Sequence, residues 1–301
     1  MKMVKKILLG LAAGALVLGF AGCKAPEAGN ADMITVKGSK GSISYTNESD
    51  TQVTRGFKPL KTKHLDAICH IQMTKKDLIG AGQVANGAMG YVFNLVEDDK
   101  AGTKSFSVAG IRYNQSKGLS AYVETFKDVP NDELETTALT ADAVATGLGT
   151  YDDSPFGKII ANKSTVESKL KNGVLDVWIE VVANGKAKKT VNGEETWITP
   201  NGRDGTPGTY TVYFFLEDPK REKNDSPNNY ELTYNGSNTR PADIGHAVVA
   251  ADDVFMAYDS TKGLTSMQSY MGCYANVYKK QTLEGTWEFL EIKKETEEIE
   301  E

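Results

Sequence analysis

Alternation of apolar and polar side chains is the dominant pattern of this chain, and it is clearest between residues 89 and 129. Three apolar-rich runs follow one another there, separated by the polar segments 97–102 and 114–118, each of which ends in glycine. Such alternation is typical of half-buried β-strands, and consecutive strands joined by glycine-containing turns form an antiparallel meander. The pattern therefore predicts a meander with strands at 91–96, 106–113 and 119–129.

Shorter runs of the same kind occur on both sides of this meander. Asn184-Gly185 and Asn192-Gly193 are each typical of a two-residue hairpin turn, so a strand at 174–182 is expected to lead through a hairpin into 188–191. The remaining runs predict strands at 34–36, 42–46, within 64–75, and at 210–217, 247–257, 267–278 and 286–292.

Residues 131–172 lack this alternation. Weak helical character at 139–145 and 164–170, with Asp and Ser as start signals, predicts an irregular connection with one or two short helices. The Gly-, Pro- and polar-rich segments 199–208 and 218–229 are predicted loops.

At least ten short strands with little helix predict an all-β fold, a two-sheet antiparallel β-sandwich spanning residues 36–292, with an acidic tail at 293–301. Several of its strands resemble those of concanavalin A-like (laminin G-like) jelly rolls. The resemblance implies a jelly roll whose concave sheet or loop rim often binds glycans or proteins, and it carries over no ligand residues because no site motif matches. The segments that resemble the family are 174–181, 190–193, 209–214, 272–277 and 285–289.

The first 23 residues have the pattern of a secretory signal peptide. Three lysines precede an apolar run from Ile7 to Phe20, and Ala21-Gly22-Cys23 follows. This ending resembles the lipobox of bacterial lipoproteins, although Phe20 stands where that family usually has Leu. The resemblance implies cleavage before Cys23 and acylation of that residue, hence a lipid-anchored protein of the bacterial cell envelope with a flexible tether at 23–35. The alternative is a transmembrane anchor, but an apolar run of about 14 residues is short for a span of roughly 20.

The net charge restricts the partners. It is −6 for the chain, and removal of the leader with its three lysines lowers it from −6 to −9. Because phosphate binding requires a basic patch, nucleic acid is excluded as the expected partner.

Two cysteines, Cys69 and Cys273, remain beyond the leader. An exported protein resides where disulfides form, so one alternative is a Cys69–Cys273 bridge. The other is two buried free thiols, since both lie in apolar strand-like runs. Spacing alone does not decide between them.

The candidate ligand-binding residues lie on two predicted strands. On the strand at 175–181, Asp176, Trp178 and Glu180 share one face, and on the strand at 119–126 Tyr122 and Glu124 do the same. If both faces lie on the concave sheet, they form a sugar platform in which rings pack on pyranose C–H faces and carboxylates accept hydroxyl hydrogen bonds. The alternative is that Trp178 only packs against the protein.

A catalytic or metal site has less support. Asp176 and Glu180 would lie roughly 13 Å apart along one strand, which exceeds the separation of glycosidase carboxylate pairs. The Glu-x-Asp-x-(x)-Glu run of concanavalin A-like glucanases is absent. His64 and His70 do not have a zinc-site spacing, and the acidic segments 97–99, 152–153 and 252–253 offer at most one structural calcium.

These observations predict a membrane-anchored lipoprotein with a non-catalytic, lectin-like sandwich that binds carbohydrate. The alternative is a structural or protein-binding surface adhesin without a sugar site, and a glycoside hydrolase comes third. No metal or other cofactor is expected, and one structural calcium at the acidic segments is the alternative.

Overall fold

A computed structural model describes residues 33–51, 53–63, 67–74, 87–114, 117–130, 143–144, 158–185, 187–199, 202–203, 206, 208–222, 231–250, 257–259, 263–265 and 270–290. The described part is almost entirely β-structure, with one helix, α1, at Lys163–Lys169. The strands in chain order are β1 Ile34–Lys37, β2 Lys40–Thr46, β3 Thr54–Lys63, β4 Ala67–Thr74, β5 Gly87–Asp98, β6 Thr103–Asn114, β7 Gly118–Pro130, β8 Ala143–Val144, β9 Lys158–Asn162, β10 Val174–Ala183, β11 Ala187–Val191, β12 Glu194–Ile198, β13 Thr209–Phe215, β14 Gly245–Ala250, β15 Ala257–Asp259, β16 Gly263–Thr265, β17 Tyr270–Val277 and β18 Thr282–Leu290.

Most of these strands form two antiparallel sheets. Sheet I has the order β1-β2-β18-β4-β10-β13-β14, and sheet II has the order β3-β17-β5-β6-β7-β8, with β9 also paired to β7. Two separate ribbons, β11-β12 and β15-β16, complete the described strands. The predicted all-β, two-sheet antiparallel sandwich is thus confirmed.

One apolar core lies between the sheets. Alternate residues of β10, such as Val177 and Ile179, meet alternate residues of β7, such as Ala121 and Val123, in the same buried cluster. Trp287 of β18 also lies in this core, where its indole Nε1 donates a 2.9 Å hydrogen bond to the backbone carbonyl of Gly90 in sheet II. The buried indole N–H is therefore satisfied across the sandwich, and the bond ties β18 to β5.

The meander predicted between residues 89 and 129 is confirmed as β5-β6-β7. Its first turn is closed by the side chain of Asp98, whose Oδ1 accepts hydrogen bonds from the backbone amides of Lys100 and Ala101 at 2.9 and 3.0 Å. Gly102 ends this turn with a φ of 67°, a left-handed conformation that glycine adopts without a Cβ clash.

The predicted hairpin at Asn184-Gly185 is wrong. Strand β10 pairs with β4 and β13, whereas β11 pairs only with β12. The Asn184 amide instead donates hydrogen bonds to the hydroxyls of Thr209 and Thr211 on β13, at 3.1 and 2.6 Å. The side chain that suggested a tight turn therefore fixes the end of β10 against its sheet neighbour.

The second turn, Asn192-Gly193, does form a hairpin between β11 and β12. Both residues have positive φ values, 54° and 84°. Positive φ at both central positions is the requirement of a type I′ turn, which explains why the Asn-Gly signal succeeds there.

The helix predicted at 164–170 is confirmed as α1. Asn162 caps it, since its side-chain oxygen accepts a 2.9 Å hydrogen bond from the amide of Thr165. The other helix, predicted at 139–145, does not form at Ala143 and Val144, which pair with β7 as β8. The rest of that segment lies outside the described residues.

The signal peptide, the lipid attachment and the acidic tail are predicted for the two ends of the chain. The signal peptide, Cys23, most of the tether at 23–35 and the tail at 293–301 lie outside the described residues. Sheet I begins at Ile34, two residues before the predicted start of the sandwich at residue 36. Among the described residues, no helix has the length and apolar character needed to cross a bilayer.

Candidate functional site

The two strands of the predicted sugar platform belong to different sheets. Because Val177 of β10 and Val123 of β7 both point into the core between the sheets, the alternate residues of the two strands point outward on opposite sides of the sandwich. Asp176 and Trp178 therefore lie on the outer face of sheet I, and Tyr122 lies on that of sheet II. The structure does not bring these candidate residues onto one surface.

Glu180 is placed in the protein interior. Its side chain is fully buried, and its carboxylate accepts hydrogen bonds from Arg221 at 2.8 Å, Arg240 at 2.7 Å and the Tyr234 hydroxyl at 2.6 Å. Burial, with the nearby Glu180 charge next in size, raises the pKa of Tyr234, so this phenol stays protonated and donates. The network joins the segment after β13 to sheet I, and this role fits stabilisation rather than access to a ligand.

The outer face of sheet II carries a row of side chains across five strands. In register, Phe57 of β3 lies beside Tyr274 of β17, and Gly90, Gly110 and Tyr122 follow on β5, β6 and β7. Phe57, Tyr122 and Tyr274 belong to a second apolar cluster, separate from the core between the sheets. The two tyrosines flank two glycines at the centre of the sheet.

The absence of a side chain at Gly110 allows Tyr122 to lie over the sheet. A Cβ built on Gly110 would come within 2.1 Å of Cζ and 2.4 Å of the hydroxyl oxygen of Tyr122. Tyr122 and Tyr274 are three strand spacings apart, about 14 Å between backbones, and the Tyr122 phenol leans into this interval. Gly90 and Gly110 thus leave space above the sheet between Tyr122 and Tyr274, and the Tyr122 phenol occupies part of it.

Charged and amide groups border the two tyrosines. Asn276 pairs with Arg55 on β3 one row away from Tyr274, and Glu124 follows Tyr122 at the next outward position of β7. Arg112 lies on the outward side of β6, two residues after Gly110, and its guanidinium carbon is 5.0 Å from the centre of the Tyr278 ring. We call this group the sheet II site: Arg55, Arg112, Tyr122, Glu124, Tyr274, Asn276 and Tyr278.

Most of the sheet II site is buried. Tyr122 is 4% exposed, Arg112 2% and Tyr274 6%, whereas Arg55, Glu124 and Tyr278 are half-buried. Within the described part of the chain, the buried Oδ1 of Asn276 and the hydroxyl of Tyr278 have no hydrogen-bond partner. Buried polar atoms are almost always satisfied, so these two atoms indicate capacity for a bound polar molecule.

Burial sets the protonation states of this site. It raises the pKa of Tyr274 to about 12 and that of Tyr122 well above its usual range, so both phenols are neutral hydrogen-bond donors at ordinary pH. Burial also raises the pKa of Glu124, against the opposing effect of Arg55 and Arg112. A cluster of perturbed titratable groups on one sheet face is typical of a functional site.

Sequence reasoning found Tyr122 and Glu124 but missed Arg55, Arg112 and Tyr274. Only pairing between strands brings these residues together, because β3 and β17 are far apart in the chain. A signal existed in strand 267–278, where Tyr274, Asn276 and Tyr278 alternate with apolar residues. It indicated one polar-aromatic face without showing that the face lies beside β5.

His70, considered as a metal ligand, is engaged by its neighbours in the sheet. The ring of His70 is stacked on Trp178 and its Nε2 lies 2.8 Å from Asp176 Oδ1, whereas His64 lies outside the described residues. The described residues contain no group of three or more side chains suited to a metal ion. Of the acidic segments considered for calcium, 152–153 and 252–253 also lie outside them.

Both core cysteines are free thiols in the structure, which is the second of the two alternatives left open by the sequence. Burial raises the pKa of each, and for Cys69 the nearby Cys273 adds to this effect. They lie in the core between the sheets and take no part in the sheet II site.

Comparison with known proteins gives little further information. No family model matches the chain, and no curated protein matches it. Among solved structures, a mutant of the alginate lyase Aly36B in complex with an alginate tetrasaccharide matches at a TM-score of 0.30 and 8% identity, over 87% of this chain and 84% of that chain. Another structure of Aly36B matches at a TM-score of 0.27 and 8% identity, over 87% and 83% of the two chains. Similarity at this level assigns no family and transfers no residue role.

Proposed function

We propose that this protein is an envelope lipoprotein whose sheet II site binds a carboxylate-bearing saccharide without turning it over. One observation carries the proposal: two neutral tyrosine phenols and two arginines share one largely buried sheet face. The proposal keeps the lectin-like function predicted from the sequence and assigns the acidic saccharide to Tyr122, Glu124 and their neighbours on sheet II.

The arginines support an anionic ligand. Arg55 and Arg112 supply two permanent positive charges and Glu124 supplies one carboxylate, so the described charged side chains of the site carry a net positive charge in a protein of net charge −6. Such a local reversal of sign attracts anions. A guanidinium also matches a carboxylate in geometry, with two parallel hydrogen bonds.

The tyrosines support a saccharide. Their rings are packed in the second apolar cluster, and the phenol group of each can donate a hydrogen bond to a sugar ring or hydroxyl oxygen. Because the pKa values of Tyr122 and Tyr274 are raised, both remain donors across the whole ordinary pH range. The unsatisfied Oδ1 of Asn276 accepts a hydroxyl hydrogen bond.

Binding without turnover is proposed because the described site holds a single carboxylate, Glu124. Glycoside hydrolysis commonly uses two carboxyl groups on either side of the scissile bond. Tyr122, as a neutral phenol, is a hydrogen-bond donor and not a ready base.

The test is a binding screen of the full chain, purified in a detergent without a sugar headgroup, against neutral and uronic acid-containing oligosaccharides. We expect binding to uronic acid-containing chains, weakened by salt and reduced at least about tenfold in Tyr274→Phe and Arg55→Gln. Lys158→Gln is the matched control, because it removes one positive charge from an exposed position of sheet II. Equal binding by all variants would contradict the placement of the site.

The same samples test turnover. New reducing ends would indicate hydrolysis, and ultraviolet absorbance from new carbon–carbon double bonds would indicate elimination next to the sugar carboxylate. Either signal, dependent on Tyr122 or Glu124, would contradict binding without turnover. If the protein is folded and binds no saccharide of the panel, the adhesin alternative is favoured.

The anchoring part of the proposal rests on the leader alone. It is tested by mass analysis of the amino-terminal peptide after expression in a bacterium. We expect loss of residues 1–22 and an acylated Cys23, and we expect Cys23→Ser to abolish both. An intact leader on the parent protein would contradict lipidation.

A further inference from the structure

The outer face of sheet I, opposite the sheet II site, carries two ordered rows of polar side chains. In register across β1, β2, β18, β4 and β10, the first row, which we call the hydroxyl row, is Thr35, Ser42, Thr286, Gln72 and Asp176. The neighbouring row, which we call the charged row, is Lys37, Lys40, Glu288, His70 and Trp178.

Three side chains of the hydroxyl row, Thr286, Gln72 and Asp176, are linked by hydrogen bonds. Thr286 donates to Oε1 of Gln72 at 3.2 Å, and Gln72 donates to Oδ1 of Asp176 at 2.9 Å. His70 shares the same carboxylate oxygen at 2.8 Å. Because the groups are ordered before any ligand arrives, binding loses less side-chain entropy.

An aromatic surface closes one end of the rows. The rings of His70 and Trp178 are stacked in parallel, with centres 4.4 Å apart and an angle of 2°. Trp178 is half-buried, and Asp176 keeps 16% of its side-chain surface exposed. A flat aromatic pair beside an ordered carboxylate can receive a pyranose ring at its C–H face and at its hydroxyls.

A cavity follows both rows from β1 to β4, and Asp176 and Trp178 on β10 lie next to it, outside its lining. It has a volume of about 370 Å³ and contacts Thr35 and Lys37 at one end and His70 and Gln72 at the other. This volume lies in the range of ligand-binding clefts. From β1 to β10 the rows cross four strand spacings, about 19 Å, so the surface suits an extended ligand lying across the strands.

The charges of this surface balance. Lys37 and Lys40 oppose Glu288 and Asp176, and Lys40 is paired with Glu288 at 2.9 Å. The sheet II site, in contrast, has more arginine than carboxylate. A balanced surface of hydroxyl, amide and paired groups favours an uncharged, hydroxyl-rich ligand.

We propose that the outer face of sheet I is a second binding surface that takes a neutral oligosaccharide. The hydroxyl row hydrogen-bonds sugar hydroxyls, and the stacked His70 and Trp178 hold one pyranose ring. This surface is separated from the sheet II site by the thickness of the sandwich, and its ligand does not depend on the function proposed there.

The test measures binding of the full chain, in a detergent without a sugar headgroup, to cellohexaose, xylohexaose, mannohexaose, laminarihexaose and maltohexaose. We expect at least one of them to bind, and its affinity to fall at least about tenfold in Trp178→Ala. Trp197→Ala is the matched control, because Trp197 is 60% exposed on the β11–β12 ribbon and outside both rows. Its affinity should equal that of the parent.

Further variants keep the test decisive if Trp178→Ala folds poorly. Gln72→Ala and Thr286→Val alter exposed positions of the hydroxyl row, and each should weaken the same binding with an unchanged melting temperature. A saturating uronic acid-containing oligosaccharide should not displace the neutral one. Failure of all five probes to bind, equal affinity in the row variants, or displacement by the acidic oligosaccharide would overturn the proposal.

Discussion

The phenol of Tyr122 lies over the backbone of Gly110 on the adjacent strand, so closely that a Cβ at residue 110 would overlap its ring. The pair lies in register between β6 and β7. Glycine at this position is therefore a packing requirement of the site. It allows the Tyr122 ring to lie over β6 instead of standing upright above β7.

Gly110→Ala should displace Tyr122 and abolish binding at the sheet II site. Overpacking of this kind costs about 1–3 kcal/mol of unfolding free energy. In a Tyr122→Ala background the added methyl group meets no ring, so the same substitution should cost clearly less. Chemical denaturation of the four proteins of this cycle measures the coupling, and additive effects would contradict the contact.

Glu180→Gln should destabilise the fold strongly. The substitution removes a buried charge that faces Arg221 and Arg240, and breaking such a pair costs about 3–5 kcal/mol. Glu167→Gln is the control, because Glu167 pairs with Lys163 at 3.7 Å across an exposed helix surface and should cost about 0.5 kcal/mol or less. Equal costs, measured by urea denaturation, would show that the buried network does not stabilise the sandwich.

Glu124 should make stability depend on pH in a definite direction. Burial raises its folded-state pKa above the unfolded value, with Arg55 and Arg112 opposing the shift. Its stabilising contribution is therefore complete below the unfolded pKa of about 4.3 and is lost as pH rises through the raised folded pKa. The unfolding free energy of Glu124→Gln relative to the parent should rise between about pH 4 and the raised pKa and then level off. A difference that is constant with pH, or that falls, would contradict this assignment.

Cys69 and Cys273 should behave as two protected thiols. Burial disfavours the reactive thiolate of both residues. In the Cys23→Ser variant, a thiol reagent should therefore react slowly with the native protein and with two thiols per chain after denaturation. Detection of no thiols in the denatured, unreduced protein would show a disulfide instead.

Local sequence was sufficient for several elements of the fold. The meander β5-β6-β7, the helix α1 and the β11–β12 hairpin were predictable because their pairing partners or caps lie within a few residues. Asp98 and Asn162 each accept a backbone amide hydrogen bond in their own turn, and Asn192 has the positive φ that its own turn requires. Where the partner was distant, the same residue type misled: Asn184 bonds to β13 instead of forming a hairpin.

For the candidate site, too, local features were predictable from the sequence and long-range pairing was not. Alternation along β7 and β10 correctly predicted which side chains share a face of each strand, including Tyr122 with Glu124 and Asp176 with Trp178. Alternation did not determine which sheet each strand joins. The predicted platform required β7 and β10 to lie in the same sheet, and they do not. Alternation also did not show that Glu180 is buried. Its partners Arg221 and Arg240 lie on the segment between β13 and β14, far from β10 in the chain.

The sequence by itself determined that this chain forms β-strands, where most of them lie, and which side chains alternate along each one. These properties depend on the backbone conformation of a few adjacent residues. Tertiary structure alone decided that β18 enters between β2 and β4 and that β17 lies between β3 and β5. These pairings place Arg55 and Tyr274 on the same face as Tyr122. The entropy of closing a loop changes slowly with its length, so spacing along the chain does not select a partner strand. The partner strands are instead selected by the burial of apolar side chains from both sheets in one core.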